Sequence, residues 1–339
     1  MSNPNKLGPL VRLWGIRSQD LPPQTATADE LTPFFTAILE EAIPFIDSAA
    51  PKSPSPTNNN NKLWKSKGSK SHPDSDARVE ISERVVPARD LEAVAAGDEK
   101  KSKEAKARPE TWCCRRSVHA DAARRGTASW DEFERCFRDE HAQSESRFTP
   151  SVAAAREAAR WRGCEGVVAE PATQQIEGEG EGQASQAWTH FGLALVEMRH
   201  KIGRPLLKDR TFPVLQMTCS LEGAREFLVV SIPVPDFDAA REKGARVALY
   251  VAVERVRAVP GTRDIEWLMA TASDAGGALP MWVQTLAAPG VIWKDVPLFL
   301  GWIAKERGER EERGRDPEQG AETRTSAGEG ASAGAGTGS

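Results

Sequence analysis

The chain has no excess of basic residues and no long apolar run. Its 45 lysines and arginines against 49 acidic residues give a formal net charge of −4 over 339 residues. Such a composition argues against non-specific binding to nucleic acids, which depends on basic side chains that displace counterions from phosphates. No apolar stretch reaches the ~20 residues of a membrane-spanning helix. We therefore expect neither a nucleic-acid partner nor a transmembrane segment.

Cysteine is also scarce. The five cysteines are odd in number and lack the spacing of a disulfide framework, which is typical of proteins from a reducing compartment. The amino terminus, MSNPNKLGPLVRLWGI, lacks the charged-then-apolar order of a signal peptide. We therefore expect a cytoplasmic protein without structural disulfides.

The sequence also lacks motifs for catalysis or metal binding. There is no Gly-x-Ser-x-Gly elbow for a nucleophilic serine, and the five histidines are scattered. Cys113 and Cys114 are adjacent, so on a strand they point to opposite faces and are poor co-ligands. The GEGEG and GAGTG segments neither follow a predicted strand nor precede a predicted helix, unlike phosphate-binding loops. We therefore predict no catalytic residue, no metal and no cofactor.

Four segments are almost free of large apolar residues, and all ten tryptophans lie outside them. Such segments cannot bury enough apolar surface to offset the entropy lost on ordering, so we predict that they are disordered. They are residues 51–62, 95–108, 170–186 and 307–339. The predicted organisation is an amino-terminal segment over 1–50, a folded domain over 63–306 that contains two of these insertions, and a disordered tail.

The amino-terminal segment carries a predicted amphipathic helix. Thr27 and Glu30 have the spacing of a capping box, and apolar residues then recur at helical spacing from Leu31 to Ile46. The polar side of this helix is acidic, and an anionic membrane would repel it. We therefore favour a helix packed on its own domain over the alternative, a helix that contacts membranes.

Alternating apolar residues predict an antiparallel sheet. Val79 and Ile81 indicate one strand, and TWCCRRSVH a second. Helices are expected after Ser129, through WDEFERCFRDEH, and over residues 152–161, whereas residues 64–73 have an irregular pattern. Five further strands are predicted at 188–199, 210–219, 226–234, 246–258 and 263–272.

The most informative stretch covers residues 265–303. A strand ends at a turn that contains Gly276 and Gly277, and glycine reaches backbone dihedrals that are closed to other residues. Pro280 then falls in the first turn of a long apolar helix, where proline is tolerated. This helix is expected from about Leu279 to Lys305, and so apolar a helix needs cover on most of its sides.

Several segments resemble START-like (steroidogenic-acute-regulatory-related lipid transfer) domains. In that superfamily an Asp-x-Gly-Gly-type turn, an apolar residue and a proline precede the last helix. The matching residues here are Asp274, Gly276, Gly277, Leu279 and Pro280. RPLLKDRTFPVLQMT is similar to the segment that opens a central START strand. LGPLVRLWGI, EEAIPFIDSA, EMRHKIGRPL, EFLVVSIPV and WLMATASDAGG resemble, in order, a fungal START-like domain family of unknown function.

The resemblance implies an α+β helix-grip fold, in which a curved antiparallel sheet packs around a long carboxy-terminal helix. Such folds often keep an apolar pocket, and the alternative is a packed core without a ligand. The resemblance also implies that a buried charged residue meets the polar head of the ligand. Arg116 is the candidate for this role, because alternation places it on one strand face with Trp112 and Cys114. A solvent-facing Arg116 is the alternative.

The candidate ligand-binding residues combine strand positions with positions on the last helix. They are Arg116, His190, Val251, Glu254, Trp267, Met269, Trp282, Leu286, Val296 and Phe299. Glu254 and His190 are the expected partners of Arg116. A basic run over residues 199–210 suggests transient contact with an anionic membrane surface, although a solvated basic loop is the simpler interpretation.

The function predicted from these features is the binding, or also the transfer, of a hydrophobic small molecule such as a lipid or a sterol in an internal cavity. Two alternatives stay open on the sequence. One is an enzyme or cyclase-like activity in the same cavity, and the other is a non-catalytic adaptor whose pocket is vestigial.

Overall fold

The computed structural model describes the greater part of the chain. The described residues are 7–50, 63–95, 98–99, 101, 103, 109–172, 186–201, 209–237, 245–274 and 290–325. In the last helix, side chains are described to residue 310 and at residue 312.

These residues form one sheet with helices on both of its faces. The helices are α1 (Ala28–Asp47), α2 (Ala88–Val94), α3 (Trp130–Phe133), α4 (His141–Phe148) and α5 (Asp295–Thr325), with a π-helical turn at Glu134–Asp139 and 3-10 turns at Ser18–Asp20, Arg162–Cys164 and Ile292–Lys294. The strands are β1 (Lys65–His72), β2 (Ser75–Val86), β3 (Glu110–His119), β4 (Val152–Arg160), β5 (Trp188–His200), β6 (Arg210–Leu221), β7 (Glu226–Pro233), β8 (Arg246–Val247), β9 (Leu249–Ala258) and β10 (Ile265–Asp274).

The sheet runs in the order β1-β2-β3-β10-β9-β7-β6-β5-β4, and the short β8 pairs in parallel with β6. The other strand pairs are antiparallel. Strand β3, from the first half of the chain, therefore lies beside β10, from its end. This pairing brings Arg115 opposite Met269, and Met269 in turn lies opposite Glu254 of β9.

Helix α1 packs on one face of the sheet. Its capping box is formed, because Thr27 Oγ1 accepts the N–H of Glu30 and the Glu30 carboxylate accepts the N–H of Thr27. The buried side of α1 packs against strand residues that point to the same face of the sheet. Phe35 therefore shares a core with Val230 and Val251. The more apolar face of the central strands is therefore covered by this helix.

Helices α3, α4 and α5 cover the opposite face. Phe133, Phe137 and Phe148 meet Trp267 of β10 and Phe299 of α5. Ring centroids in this cluster lie 4.6 to 5.8 Å apart, within the range of favourable aromatic pairs. The cluster holds the start of α5 against the sheet.

Two segments differ from the sequence prediction. Residues 65–72, expected to be irregular, form the edge strand β1, which pairs on one side only and is almost wholly exposed. Residues 152–160, predicted to be helical, form β4 at the other edge. The alanine, arginine and glutamate residues of β4 favour a helix, but pairing with β5 overrides this propensity.

The carboxy-terminal helix ends later than predicted, and its predicted start near Leu279 falls outside the described residues. It covers Asp295–Thr325, and residues 275–289 lie outside the described part of the chain. The tail predicted to be disordered from residue 307 therefore starts with a helical segment. Glutamate and arginine favour this helix, and Arg310 pairs with Glu306 one turn earlier.

The other segments predicted to be disordered stay a prediction. Residues 51–62 lie outside the described residues, as do most of 95–108 and 170–186. Within the described part, no helix combines the length and the apolar character needed to cross a bilayer. The predicted α+β helix-grip architecture, an antiparallel sheet packed around a carboxy-terminal helix, is confirmed.

Candidate functional site

A cavity of about 220 Å³ lies between the sheet and the helices of its second face. One water needs only ~10–15 Å³ by the same measure, so this part of the interior is not a packed core. Six strands and the helical layer contribute to the wall. The lining residues are Arg115, Phe137, His141, Glu145, Phe148, His200, Phe212, Val229, Ser231, Tyr250, Ala252, Glu254, Met269, Thr271, Ser273, Val291, Ile292 and Asp295.

Most of the cavity wall is apolar. Phe137 and Phe148 from the helical layer face Phe212 and Met269 from the strands. Such a wall offers water few hydrogen bonds, so an apolar molecule gains ~25 cal/mol for each Å² of its surface that leaves water.

One end of the cavity is charged. Arg115 Nη2 on β3 donates to Glu254 Oε1 on β9 over 3.0 Å, and Arg115 Nε lies 3.6 Å from Asp295 Oδ2 at the start of α5. The guanidinium carbon of Arg115 lies 3.9 Å from the centroid of the Trp267 ring, a cation–π contact. Trp267 Nε1 donates to the same Glu254 oxygen over 2.6 Å. Three elements of the fold therefore hold Arg115 in place.

His141 and Glu145 on α4 complete the charged end. His141 Nδ1 donates to the Phe137 carbonyl oxygen over 3.0 Å, because a carbonyl can only accept. His141 Nε2 lies 3.7 Å from Glu145 Oε2, and its Nδ1 lies 3.9 Å from Glu254 Oε2. Three carboxylates therefore share one arginine and one histidine.

The surplus of carboxylates raises the proton affinity of this end. The pKa of Asp295 is raised to about 7, chiefly by burial and further by Glu145 and Glu254, against the lowering effect of Arg115. The pKa of Glu145 is also raised, chiefly by burial and further by Glu254, against the lowering effect of His141. Asp295 therefore changes its charge near neutral pH.

Two further titratable side chains in the wall are neutral at pH 7. Burial lowers the pKa of His200 to about 4, and burial raises the pKa of the Tyr250 phenol above its ordinary range. Among the described lining residues, Arg115 is thus the one cation whose charge does not depend on pH.

The structure places two of the predicted ligand-binding residues in the cavity wall. Glu254 and Met269 both line the cavity. Trp267 lies directly behind the wall, fully buried beneath Arg115. That these residues contact a ligand stays a prediction.

The predicted positions on the last helix do not line the cavity where they are described. Val296 and Phe299 are fully buried in the aromatic core beside it. Trp282 and Leu286 lie outside the described residues. The helix reaches the cavity wall through Asp295 at its first turn.

Three predicted residues lie away from the cavity. Arg116 is on the opposite face of the sheet, where it pairs with Glu80 and Glu266. Val251 packs in the core beneath α1, and His190 is exposed at an irregularity in β5 with a φ of 53°. The strands alternate as expected, but their more apolar face packs against α1 and their more polar face lines the cavity. For this reason Arg115, one position earlier, is the arginine at the cavity, with Glu254 as its partner.

Sequence reasoning missed Arg115, His141, Glu145 and Asp295. A signal for Arg115 was present, because a helix packed on the domain needs the more apolar sheet face, and this leaves the face of Arg115 and Glu254 for the cavity. His141 and Glu145 carry no comparable signal, since their position depends on how α4 packs.

The basic run over residues 199–210 is described only at its ends. Arg199 Nε donates to Asp209 Oδ2 over 3.2 Å, and Arg210 is buried. These two arginines are therefore engaged within the protein, and membrane contact at this run stays a prediction.

All five cysteines are buried free thiols. Burial raises the pKa of Cys113 and of Cys114 to about 12, so both thiols are protonated at neutral pH. They act as packing groups on the two faces of β3.

Comparison with solved structures finds START-type domains. Human STARD10 is similar with a TM-score of 0.46 and 10% sequence identity, over 78% of this chain and 87% of that chain. A STAR-related lipid transfer protein from Xanthomonas axonopodis gives a TM-score of 0.41 and 13% identity, over 70% and 98%. Human StAR-related lipid transfer protein 5 gives 0.40 and 11%, over 70% and 86%. No curated protein shows significant sequence similarity to the chain.

Comparison with protein families finds one described as a protein of unknown function (DUF3074), which matches residues 112–303. The match begins on β3 and ends on α5, so it includes the whole lining of the cavity. It also covers more than half of the chain, and the predicted membership of a family of unknown function is confirmed. The chain belongs to the DUF3074 family.

Proposed function

We propose that the protein binds a hydrophobic small molecule, a lipid or a sterol, in the cavity between the sheet and the helices. The observation that carries the proposal is the cavity itself, with about 220 Å³ of unfilled space, a largely apolar wall and one charged end. A ligand with an apolar body and a polar head matches both parts. Transfer of that ligand between membranes, with transient contact at the membrane surface, is the extended form of the proposal.

Packing supports this function. Protein interiors are normally close-packed, and atoms that line an unfilled apolar space lose contacts that a packed core would provide. A bound apolar body would restore those contacts. The buried free thiols also suit a reducing, cytoplasmic setting for this role.

The edge of the cavity gives a ligand a route of access. Val291 lines the cavity and is nevertheless 55% exposed. The cavity therefore approaches the molecular surface beside this residue, and a ligand need not disrupt the sheet to reach it.

Two alanines on neighbouring strands provide a matched test. Ala252 lines the cavity, whereas Ala272 is buried on the opposite face in the core beneath α1. Ala252→Leu fills part of the cavity, so it should reduce uptake of a fluorescent long-chain alcohol and leave the free energy of unfolding nearly unchanged. Ala272→Leu overpacks a filled core and should cost ~1–3 kcal/mol while uptake by the folded protein persists.

Probe fluorescence and urea unfolding measure the two effects separately. The proposal fails if the wild type takes up no probe and Ala252→Leu is as destabilising as Ala272→Leu. That outcome would mean that the space near Ala252 is neither open to a ligand nor free to accept a larger side chain.

A further inference from the structure

The charged end presents carboxylates to the cavity and hides its arginine. Glu145 and Asp295 both line the cavity, with side chains that are 28% and 31% accessible. The Arg115 side chain is only 2% accessible. Its Nε and Nη1 are buried without a hydrogen-bond partner, and its Nη2 is engaged by Glu254. A ligand therefore meets carboxylate oxygens before it can reach the guanidinium.

The two accessible carboxylates have acceptor capacity that the described residues do not use. The Glu145 carboxylate makes no hydrogen bond among them, and its Oε2 lies 3.7 Å from Nε2 of His141. The ion pair of Asp295 with Arg115 is long, at 3.6 Å. An ionised carboxylate has about four acceptor positions and no donor. The more accessible charged groups at this end of the cavity are therefore hydrogen-bond acceptors, whereas the donors of Arg115 are buried behind them.

The charge balance points in the same direction. Three carboxylates face one arginine and one histidine, so an anionic head group would add a further negative charge to a region already rich in it. A cationic head group would donate to the accessible carboxylates and would also balance their negative charge.

We propose, on the basis of the proposed function, that the ligand is an amphiphile with a protonated amine head whose ammonium group hydrogen-bonds Glu145 and Asp295. An ammonium group has three donors and no acceptor, which suits two carboxylates that can only accept. The apolar chain of the ligand lies against Phe137, Phe148 and Phe212. Arg115 acts as a counter-ion behind the carboxylates and does not contact the ligand.

Amine binding should depend on pH. The groups that face Asp295 are Arg115 on β3, Glu254 on β9, and Glu145 with its neighbour His141 on α4. The pKa of Asp295 is about 7, so its carboxylate ionises as the pH rises through 7. An alkylammonium group, with a pKa of about 10.4, stays charged over this range. Amine affinity should therefore rise between about pH 6 and pH 8, and alcohol affinity should not.

Three fluorescent probes with one chain and different heads test the proposal on the full chain. The heads are a primary amine, an alcohol and a carboxylate, each used below its micelle concentration. At pH 8 the wild type should bind the amine more tightly than the alcohol. It should also bind the amine about tenfold more tightly than the carboxylate, or better. A charge-assisted hydrogen bond contributes about 1.5–3 kcal/mol, and a tenfold difference in affinity corresponds to about 1.4 kcal/mol.

Three variants each remove one negative charge. Glu145→Gln and Asp295→Asn should each weaken amine binding about tenfold and leave alcohol binding within about twofold, which also shows that the variant is folded. Asp295→Asn should in addition reduce the rise of amine affinity between about pH 6 and pH 8. Glu222→Gln changes an exposed carboxylate outside the cavity and should alter neither probe.

The outcomes separate the two proposals. If the alcohol or the carboxylate binds as tightly as the amine, or if neither cavity variant weakens amine binding, the amine assignment is overturned and the proposed function stands. An equal loss in Glu222→Gln would indicate attraction to the acidic surface and would overturn the assignment as well. If none of the three probes binds, the proposed function itself fails.

Discussion

At the scale of single residues, Arg115 and Arg116 are neighbours with different surroundings. Arg115 is buried at the cavity, where its charge is balanced by Glu254 and Asp295. The Arg116 side chain is 37% exposed on the other face and pairs with Glu80 and Glu266. Successive strand residues point to opposite faces, so the two arginines form a natural pair for comparison.

Arg115→Gln should lower the free energy of unfolding by ~3–5 kcal/mol, because it leaves the buried Glu254 carboxylate without its cation. Arg116→Gln should cost only about 1 kcal/mol or less, since solvent screens its pairs and Glu266 keeps its hydrogen bond from Arg257. Urea unfolding at pH 8 measures both losses. Equal losses would contradict the assignment of Arg115 as the buried counter-ion of this cluster.

At the scale of elements, Gly15 allows the backbone of the amino-terminal segment to pack closely against the end of β7. The N–H of Ile16 donates to the carbonyl oxygen of Pro233 over 2.9 Å. Gly15 has a φ of 69°, and a Cβ at this position would collide with that carbonyl oxygen. Glycine alone meets both the dihedral and the close approach.

Gly15→Ala should therefore cost about 3 kcal/mol or more. Gly223→Ala is the matched control, because Gly223 has the same φ of 69° and no other atom within 4 Å of the added methyl group. The control should show only the dihedral strain of ~1–2 kcal/mol. Denaturant unfolding measures the loss of unfolding free energy in both variants. An equal loss would indicate that the amino-terminal segment does not pack closely against Pro233.

The elements that sequence patterns predict well are the central strands. The five segments predicted between residues 188 and 272 correspond to β5, β6, β7, β9 and β10, the last four of which are buried along most of their length. The edge strands β1 and β4 are largely exposed, so their residues carry no apolar alternation. Pairing with one neighbour creates these strands, and a local pattern does not reveal that pairing.

The site is harder to predict than the strands, for a related reason. Alternation divides each strand into two faces, but it does not say which face a helix covers. The apolar pattern favours the face of Val251, and α1 occupies that face. Glu254 and Met269, which were predicted from strand alternation, lie in the cavity wall. The position of Glu145 depends on how α4 packs against the sheet, and strand alternation gives no information about that packing.

At the scale of the whole molecule, the sheet separates two parts of the interior that differ in packing. The side beneath α1 is filled by aliphatic and aromatic side chains. The side beneath α5 combines an aromatic cluster with an unfilled space of about 220 Å³. The central claim is that a hydrophobic molecule occupies this space.

Native mass spectrometry of the purified full chain tests that claim most directly. The wild type should carry a non-covalent adduct of lipid-like mass that organic solvent extracts. The adduct should be reduced in Ala252→Leu, which narrows the cavity, and retained in Ala272→Leu, which changes the opposite face. A wild-type protein that carries no adduct, and acquires none after incubation with a lipid extract, would contradict the claim.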